Sequence, residues 1–164
     1  MRHYLVTSGV VKAEDLRFSE KEVLETYRNV VMLLNNILEF YLTYKKENSK
    51  PQIQNPNNIL DQWIIALLDQ FIGEVTKNFD AYDLVKAARP IEKFINYLST
   101  WYLRRSRERF KEGDIEGIQI FGYVLLQLSK IIAPFMPYLA EHVYKNVGSL
   151  KESVHLEDWP RENK

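Results

Sequence analysis

The chain has 164 residues, 46% hydrophobic and 27% charged, which suits one domain with a sizeable core and excludes a wholly disordered chain. With no cysteine it cannot form a disulfide, a thiol nucleophile or a cysteine-ligated metal site, and His3, His142 and His155 lack the spacing of metal ligands. Basic and acidic residues number 22 each, so the bulk charge names no partner.

No uninterrupted apolar run approaches 18 residues, and Met1-Arg2-His3-Tyr4 does not open a signal peptide. The expectation is a soluble, cytoplasmic protein with no membrane partner.

In residues 4–18, Tyr4-Leu5-Val6-Thr7 and Val10-Val11 read as short extended pieces around Gly9, too little for a domain. Ser19 with Glu22 predicts a capping box and a helix. Its stripe runs through Val23, Tyr27, Val30, Val31, Leu34, Ile37, Leu38 and Tyr41. Residues 47–58, with Pro51 and Pro56, form a polar loop. A second helix is predicted over about 58–78, with Leu60, Ile64, Leu67, Phe71 and Val75 facing inward. Asp80 is a plausible cap for the third helix, roughly 82–111. That helix buries Leu84, Ala87, Ala88, Ile91, Phe94, Ile95, Leu98 and Tyr102, and Pro90 predicts a kink. Gly113 ends it and Asp114 caps a fourth helix over 115–133, apolar nearly all round and therefore central. Pro134 stops that helix. Pro137 opens a fifth, to about 147, with Leu139 and Val143 inward and Gly148 closing it. Residues 153–160 have no helical period and read as an extended piece or a strap returning through Leu156 and Trp159. The architecture expected is all-α: an antiparallel bundle of about five helices with a short extended N-terminal linker and an irregular C-terminal strap.

Zero net charge hides an asymmetry. Residues 1–83 carry −3, residues 84–111 carry +6 and residues 112–164 carry −3. The third helix is a cationic rod, beginning with Lys86 and Arg89. Its charge peaks where Arg104, Arg105, Arg107, Arg109 and Lys111 face one acid, Glu108. Cations near a helix C-terminus gain about 0.3–1 kcal/mol each from the macrodipole, but lysine would serve that purpose as well as arginine. At helical spacing the buried stripe through Leu98 and Tyr102 runs on to Arg105 and Arg109, with Trp101 and Arg104 on the neighbouring row. Planar guanidinium groups beside an aromatic ring suit phosphate binding and base stacking. The residues alone leave another reading open, in which Arg105 and Arg109 pair with acids on adjacent helices and Trp101 is core.

Catalytic patterns are missing. There is no dinucleotide or phosphate-loop glycine motif, and Ser99 and Ser106 lack the glycine neighbours of a nucleophile elbow. Carboxylate pairs such as Glu141 with Asp61 arise by chance among 22 acids, and His142 reads as a surface or interhelical hydrogen-bonding residue. No catalytic residue, metal ligand or cofactor site is expected in this chain.

Three stretches carry a resemblance. They are residues 61–68 (Asp61-Gln62-Trp63 to Leu68), residues 82–89 running on to Leu98-Ser99-Thr100-Trp101-Tyr102-Leu103-Arg104-Arg105-Ser106-Arg107, and Ala133-Pro134-Phe135-Met136-Pro137 with the later His155-Leu156-Glu157-Asp158-Trp159-Pro160. Together they resemble the anticodon-binding helical domain of class I aminoacyl-tRNA synthetases, over almost the whole chain. The proline-rich and Trp-Pro pieces resemble the isoleucine, valine and leucine enzymes alike. Arg104 and Arg105 point to the isoleucine branch, because valine enzymes tend to place an acid after Trp-Tyr-Leu. Gly9 departs from the family, which often has proline there.

The resemblance implies residues 1–18 as a linker from an absent catalytic domain, 19–148 as the anticodon-binding bundle and 149–164 as the strap. It implies a parent enzyme that joins isoleucine to its tRNA using ATP and magnesium, with this chain a monomeric, catalytically inactive piece whose Met1 is an artificial start. Its partners would be the anticodon stem-loop of isoleucine tRNA and the other domains of the parent. The implied tRNA-binding residues are Arg104, Arg105, Arg107, Arg109, Trp101, Lys86 and Arg89. The alternatives are the same domain of a valine or leucine enzyme, or a helical adaptor whose arginines meet an acidic protein.

Overall fold

Short polar caps and glycine or proline stops divide the chain into helices that pack side by side. The computed structural model describes residues 1–15, 18–45, 51–52, 56–148 and 151–162, and among these there is no strand. Six helices follow in order: α1 (Arg2–Thr7), α2 (20–44), α3 (Ile59–Asp80), α4 (84–111), α5 (Ile115–Ile132) and α6 (Pro137–Gly148). Two of them contain a wide π-helical turn, Tyr27–Met32 in α2 and Leu98–Leu103 in α4.

The caps explain the boundaries. The Asn58 side chain accepts from the Leu60 amide (2.8 Å) at the start of α3, and Asp114 accepts from the Gly117 amide (3.1 Å) at the start of α5. Gly113 and Gly148 end their helices at positive φ, 90° and 138°. Asp83, not Asp80, caps α4, accepting from the Lys86 amide at 3.0 Å, while Asp80 completes the last turn of α3. Ser19 precedes α2 without a side-chain cap, and the Glu22 carboxylate accepts from the Tyr4 hydroxyl (2.8 Å). The helical ladder of α4 continues past Pro90 to Tyr97.

The N-terminal segment is not extended. Residues 2–7 are helical, followed by a 3₁₀ turn at Gly9–Lys12. Burial of His3 and Tyr4 against the bundle outweighs the β-propensity of the local residues. Burial also lowers the His3 imidazole to about 4. Part of the predicted 47–58 loop and the boundary at 149–150 lie outside the described residues.

α3 and α4 run antiparallel. Asp61 at the start of α3 meets Arg109 near the end of α4, and Phe71 stacks on Phe94 (4.5 Å) further along. α5 has mean hydropathy 1.3 and is long and apolar enough to cross a membrane, yet it runs through the middle of the bundle and is buried on most sides. Tyr41, Tyr102, Phe110 and Phe121 join α2, α4 and α5 in one aromatic cluster, with Phe110 and Phe121 stacked at 5.6 Å.

The Tyr41 hydroxyl lies over Gly122, where an added Cβ would approach it to 2.5 Å. It has no hydrogen-bond partner among the described residues, and burial pushes its pKa up to about 12. A buried hydroxyl without a partner is destabilising, so Tyr41→Phe should raise stability by about 1 kcal/mol in urea unfolding. A loss of stability would show that the hydroxyl is satisfied.

The C-terminal strap is held by two carboxylates. Glu141 accepts from the Val154 amide and the Ser153 hydroxyl, each at 2.9 Å. The Val154 amide, assisted by Lys145 and Ser153, holds the Glu141 carboxyl below its usual range. Burial alone would raise Glu157, but the Tyr144 hydroxyl and Lys130 (3.0 Å) outweigh it and lower the carboxyl. The strap returns through Val154, Trp159 and Pro160, whereas Leu156 is exposed. The Trp159 indole donates to the Thr76 hydroxyl at 2.8 Å and meets the Phe79 ring edge-on.

Candidate nucleic-acid interface

The π-turn decides which side chains of α4 reach the surface. A regular helix would carry the buried stripe from Leu98 and Tyr102 to Arg105 and Arg109. Instead the buried positions are Tyr102 and Leu103 at the end of the turn and Ser106 and Phe110 after it. The stripe has slipped by one residue, as an extra residue in one wide turn requires. Ser106 and Phe110 enter the core where the simple period places Arg105 and Arg109. Arg105 is exposed, and Trp101, which the uninterrupted period puts beside the core, is 49% exposed. The turn in α2 acts alike: Tyr27 faces solvent and Thr26 is half-buried.

The sequence-predicted residues divide accordingly. The Arg105 guanidinium lies 4.5 Å from the centroid of the Trp101 ring, a cation–π stack at the surface. Arg107 sits 5.5 Å over the Phe40 ring, and Arg104 is exposed. None of these three makes an ion pair among the described residues. Arg89 is exposed on the first half of α4, and Lys86 pairs with Asp83 at 2.9 Å while keeping most of its surface in solvent.

Arg109 is the correction. It turns inward and grips the buried Asp61 carboxylate through both terminal nitrogens, at 2.6 and 2.7 Å. It also reaches Asp114 at 3.0 Å and the Ser106 hydroxyl at 3.2 Å. The Tyr102 hydroxyl donates to the same Asp61 carboxylate at 2.6 Å. Burial opposes the Arg109 charge, but hydrogen bonding to Asp61 outweighs it and raises the guanidinium further. Burial, then the Asp61 charge, raises the Tyr102 hydroxyl well above its ordinary range. Arg109 therefore fixes the end of the cationic helix to α3 and is not free for an incoming polyanion. The paired-acid reading holds for Arg109, Arg105 has no acid partner among the described residues, and the core reading of Trp101 fails.

Sequence reasoning passed over three neighbours of Trp101. A groove of about 520 Å³ between α3 and α4 is lined by Trp63, Tyr97, Lys93 and Trp101, among others. Trp63 and Tyr97 meet edge-to-face at 6.3 Å, and the Lys93 ammonium lies 5.8 Å from the Tyr97 ring. The signal was available: both rings fall off the apolar stripes of their helices, so burial could not account for them. Asp61 and Glu141 do not form a carboxylate pair; each is engaged elsewhere, and His142 is exposed beside Asn146. Among the described residues, no three His, Asp or Glu side chains gather into a group that could hold a metal ion.

This surface has the parts of a single-strand or loop RNA interface: arginines with no carboxylate partner among the described residues, beside the exposed Trp101 ring on the same helix. Comparison with known proteins bears on it. The chain is 41% identical over 170 residues to the isoleucine–tRNA ligase of Protochlamydia amoebophila and 40% identical over 172 residues to that of Chlamydia muridarum. It is 40% identical over 158 residues to that of Dehalococcoides mccartyi. These matches cover 98%, 98% and 88% of this chain, and the chain spans 16% of the length of each relative. The fold matches the crystal structure of the ternary complex of Agrobacterium radiobacter K84 agnB2 LeuRS-tRNA-LeuAMS with a TM-score of 0.63 at 20% identity, over 99% of this chain and 19% of that one. The family model for the anticodon-binding domain of tRNA ligase matches residues 61–164, which include most of α3, the arginine helix and the strap, and the chain belongs to that family.

Proposed function

We propose that this domain binds the anticodon stem-loop of an isoleucine tRNA, and that the protein containing it attaches isoleucine to that tRNA. The observation that carries the reading is the exposed row of Arg104, Arg105 and Arg107 on α4, within a chain about 40% identical to isoleucine–tRNA ligases. The arginines place the phosphate backbone, and the adjoining rings contact loop bases. Lys86 and Arg89 extend the phosphate track toward the start of α4. Arg109 acts through position alone.

No ATP site is proposed in this chain. Gly117 and Gly122 face Phe110 and Tyr41 across a packed helix and offer no open phosphate loop. ATP and magnesium are assigned to the remainder of the parent, and residues 1–18 to the junction with it. The domain acts as a monomer within a cytoplasmic enzyme.

Filter binding of the 164-residue chain to the isoleucine, valine and leucine anticodon hairpins tests this reading. Weak, salt-dependent binding with the isoleucine hairpin tightest is expected. Tighter binding of the valine or leucine hairpin would move the domain to that enzyme. Co-purification with a protein and with no RNA would replace the reading by the adaptor.

A further inference from the structure

We propose that Asp61 is a positioning residue for RNA binding: from α3 it holds the arginine row of α4 in place without touching the RNA. The inference rests on the RNA-binding reading above, and its test tells the failure of one from the failure of the other.

The row starts where α4 is least constrained. Arg104, Arg105 and Arg107 follow directly on the wide turn Leu98–Leu103, and such a turn is a frequent site of helix bending. Beyond it, only Ser106 and Phe110 are buried in the segment Arg104–Lys111. The stack of Phe110 on Phe121 decides which side of the segment faces inward. A single ring still leaves the segment free to roll and pivot about it.

Asp61 removes that freedom. Its carboxylate accepts from the Tyr102 hydroxyl at 2.6 Å and from both terminal nitrogens of Arg109 at 2.6 and 2.7 Å. Tyr102 lies in the wide turn, and Arg109 follows seven residues later, about two turns on along the same face. One carboxylate thus ties α4 down on either side of Arg104, Arg105 and Arg107. Arg109 also meets one oxygen of Asp114 at 3.0 Å, while the other oxygen of Asp114 caps α5, so the end of α4 is fixed to a third helix. Asp61 is 1% exposed and cannot reach a phosphate, so its effect on RNA passes through the backbone of α4. Stability alone does not call for such a network, because well-packed apolar groups replace buried ion pairs at little or no loss. Holding three guanidinium groups in a fixed array does call for it: a row already ordered loses less freedom when RNA binds.

The test is the triple variant Asp61→Leu/Tyr102→Phe/Arg109→Met of the 164-residue chain. It removes one acid and one base, so net charge is unchanged, and it keeps Arg104, Arg105 and Arg107. At a temperature where circular dichroism shows parent and variant equally folded, filter binding of the isoleucine anticodon hairpin should weaken about five- to tenfold. The chain has no cysteine, so Glu108→Cys carries a single nitroxide on the exposed side of the segment. Its electron paramagnetic resonance line should be that of a rigid helix in the parent background and should narrow in the triple variant, which a role in stability alone would not produce. Tyr102→Phe cuts one tie, leaves the ion pair and should weaken binding about twofold; it decides the matter if the triple variant does not fold. Affinity equal to the parent's, or weaker binding with an unchanged line, overturns the proposal. If Arg104→Ala/Arg105→Ala then still weakens binding, the RNA-binding reading stands. If the parent chain binds no hairpin, both fall.

Discussion

Arg104→Ala/Arg105→Ala should weaken binding of the isoleucine anticodon hairpin by about tenfold or more at moderate salt and lower the slope of log K against log [salt] by about one to two. Neither guanidinium is engaged by a carboxylate among the described residues, and both project from the surface part of α4, so each is free to displace counterions from RNA. The loss should be nearly independent of loop sequence, because phosphate contacts position and do not specify. Folding should be almost untouched, since only the cation–π contact with Trp101 disappears. Unchanged affinity with an unchanged slope would remove these residues from the interface. The control is Arg109→Lys, which keeps the charge but loses the two-pronged grip and should affect stability more than the salt slope.

Asp61→Asn should destabilise the domain by about 3 kcal/mol, near the low end for breaking a buried ion pair, because Arg109 keeps Asp114 and some solvent. For a chain of this size that corresponds to a fall in Tm of about 6–12 °C. Arg109→Met should cost more. It strands the Asp61 carboxylate, 1% exposed, with only the Tyr102 hydroxyl, whereas Asp61→Asn strands a guanidinium that is 22% exposed. Replacing the group together, as Asp61→Leu/Tyr102→Phe/Arg109→Met, should recover most of the loss, because carboxylate, phenol and guanidinium leave together and only the Ser106 hydroxyl loses a donor. Thermal denaturation orders the variants. Equal losses for the two single changes would mean that solvent reaches Asp61.

The helices after α1 were legible because each carries its own local signals. Asn58, Asp114 and Pro137 mark three starts, Gly113 and Gly148 mark two ends, and the apolar periods of α3 and α5 identify their buried faces. The failures share one physical cause. Local pattern does not report a contact that is distant in sequence, nor a change in helical pitch. α1 is helical because His3 and Tyr4 are buried by the bundle, which residues 1–18 alone cannot reveal. Asp61 and Arg109 lie 48 residues apart and meet only because α3 and α4 are antiparallel. The π-turn has no marker in Leu98-Ser99-Thr100-Trp101-Tyr102-Leu103, so a fixed period projected past it puts Arg105 where Ser106 belongs. The cationic character of the helix, by contrast, is pure composition and was readable at once.

Because the wide turn absorbs one residue, a chain shortened by one position between 98 and 103 would close up into a uniform α-helix without turning its inner side outward. Ser106 and Phe110 would fall back onto the line set by Ile91, Ile95 and Leu98. Elsewhere in this helix the same excision would swing every later side chain by about 100°. At this one stretch, tryptophan on the outside and a well-filled interior are thus separable properties, and chain length can alter the first while sparing the second.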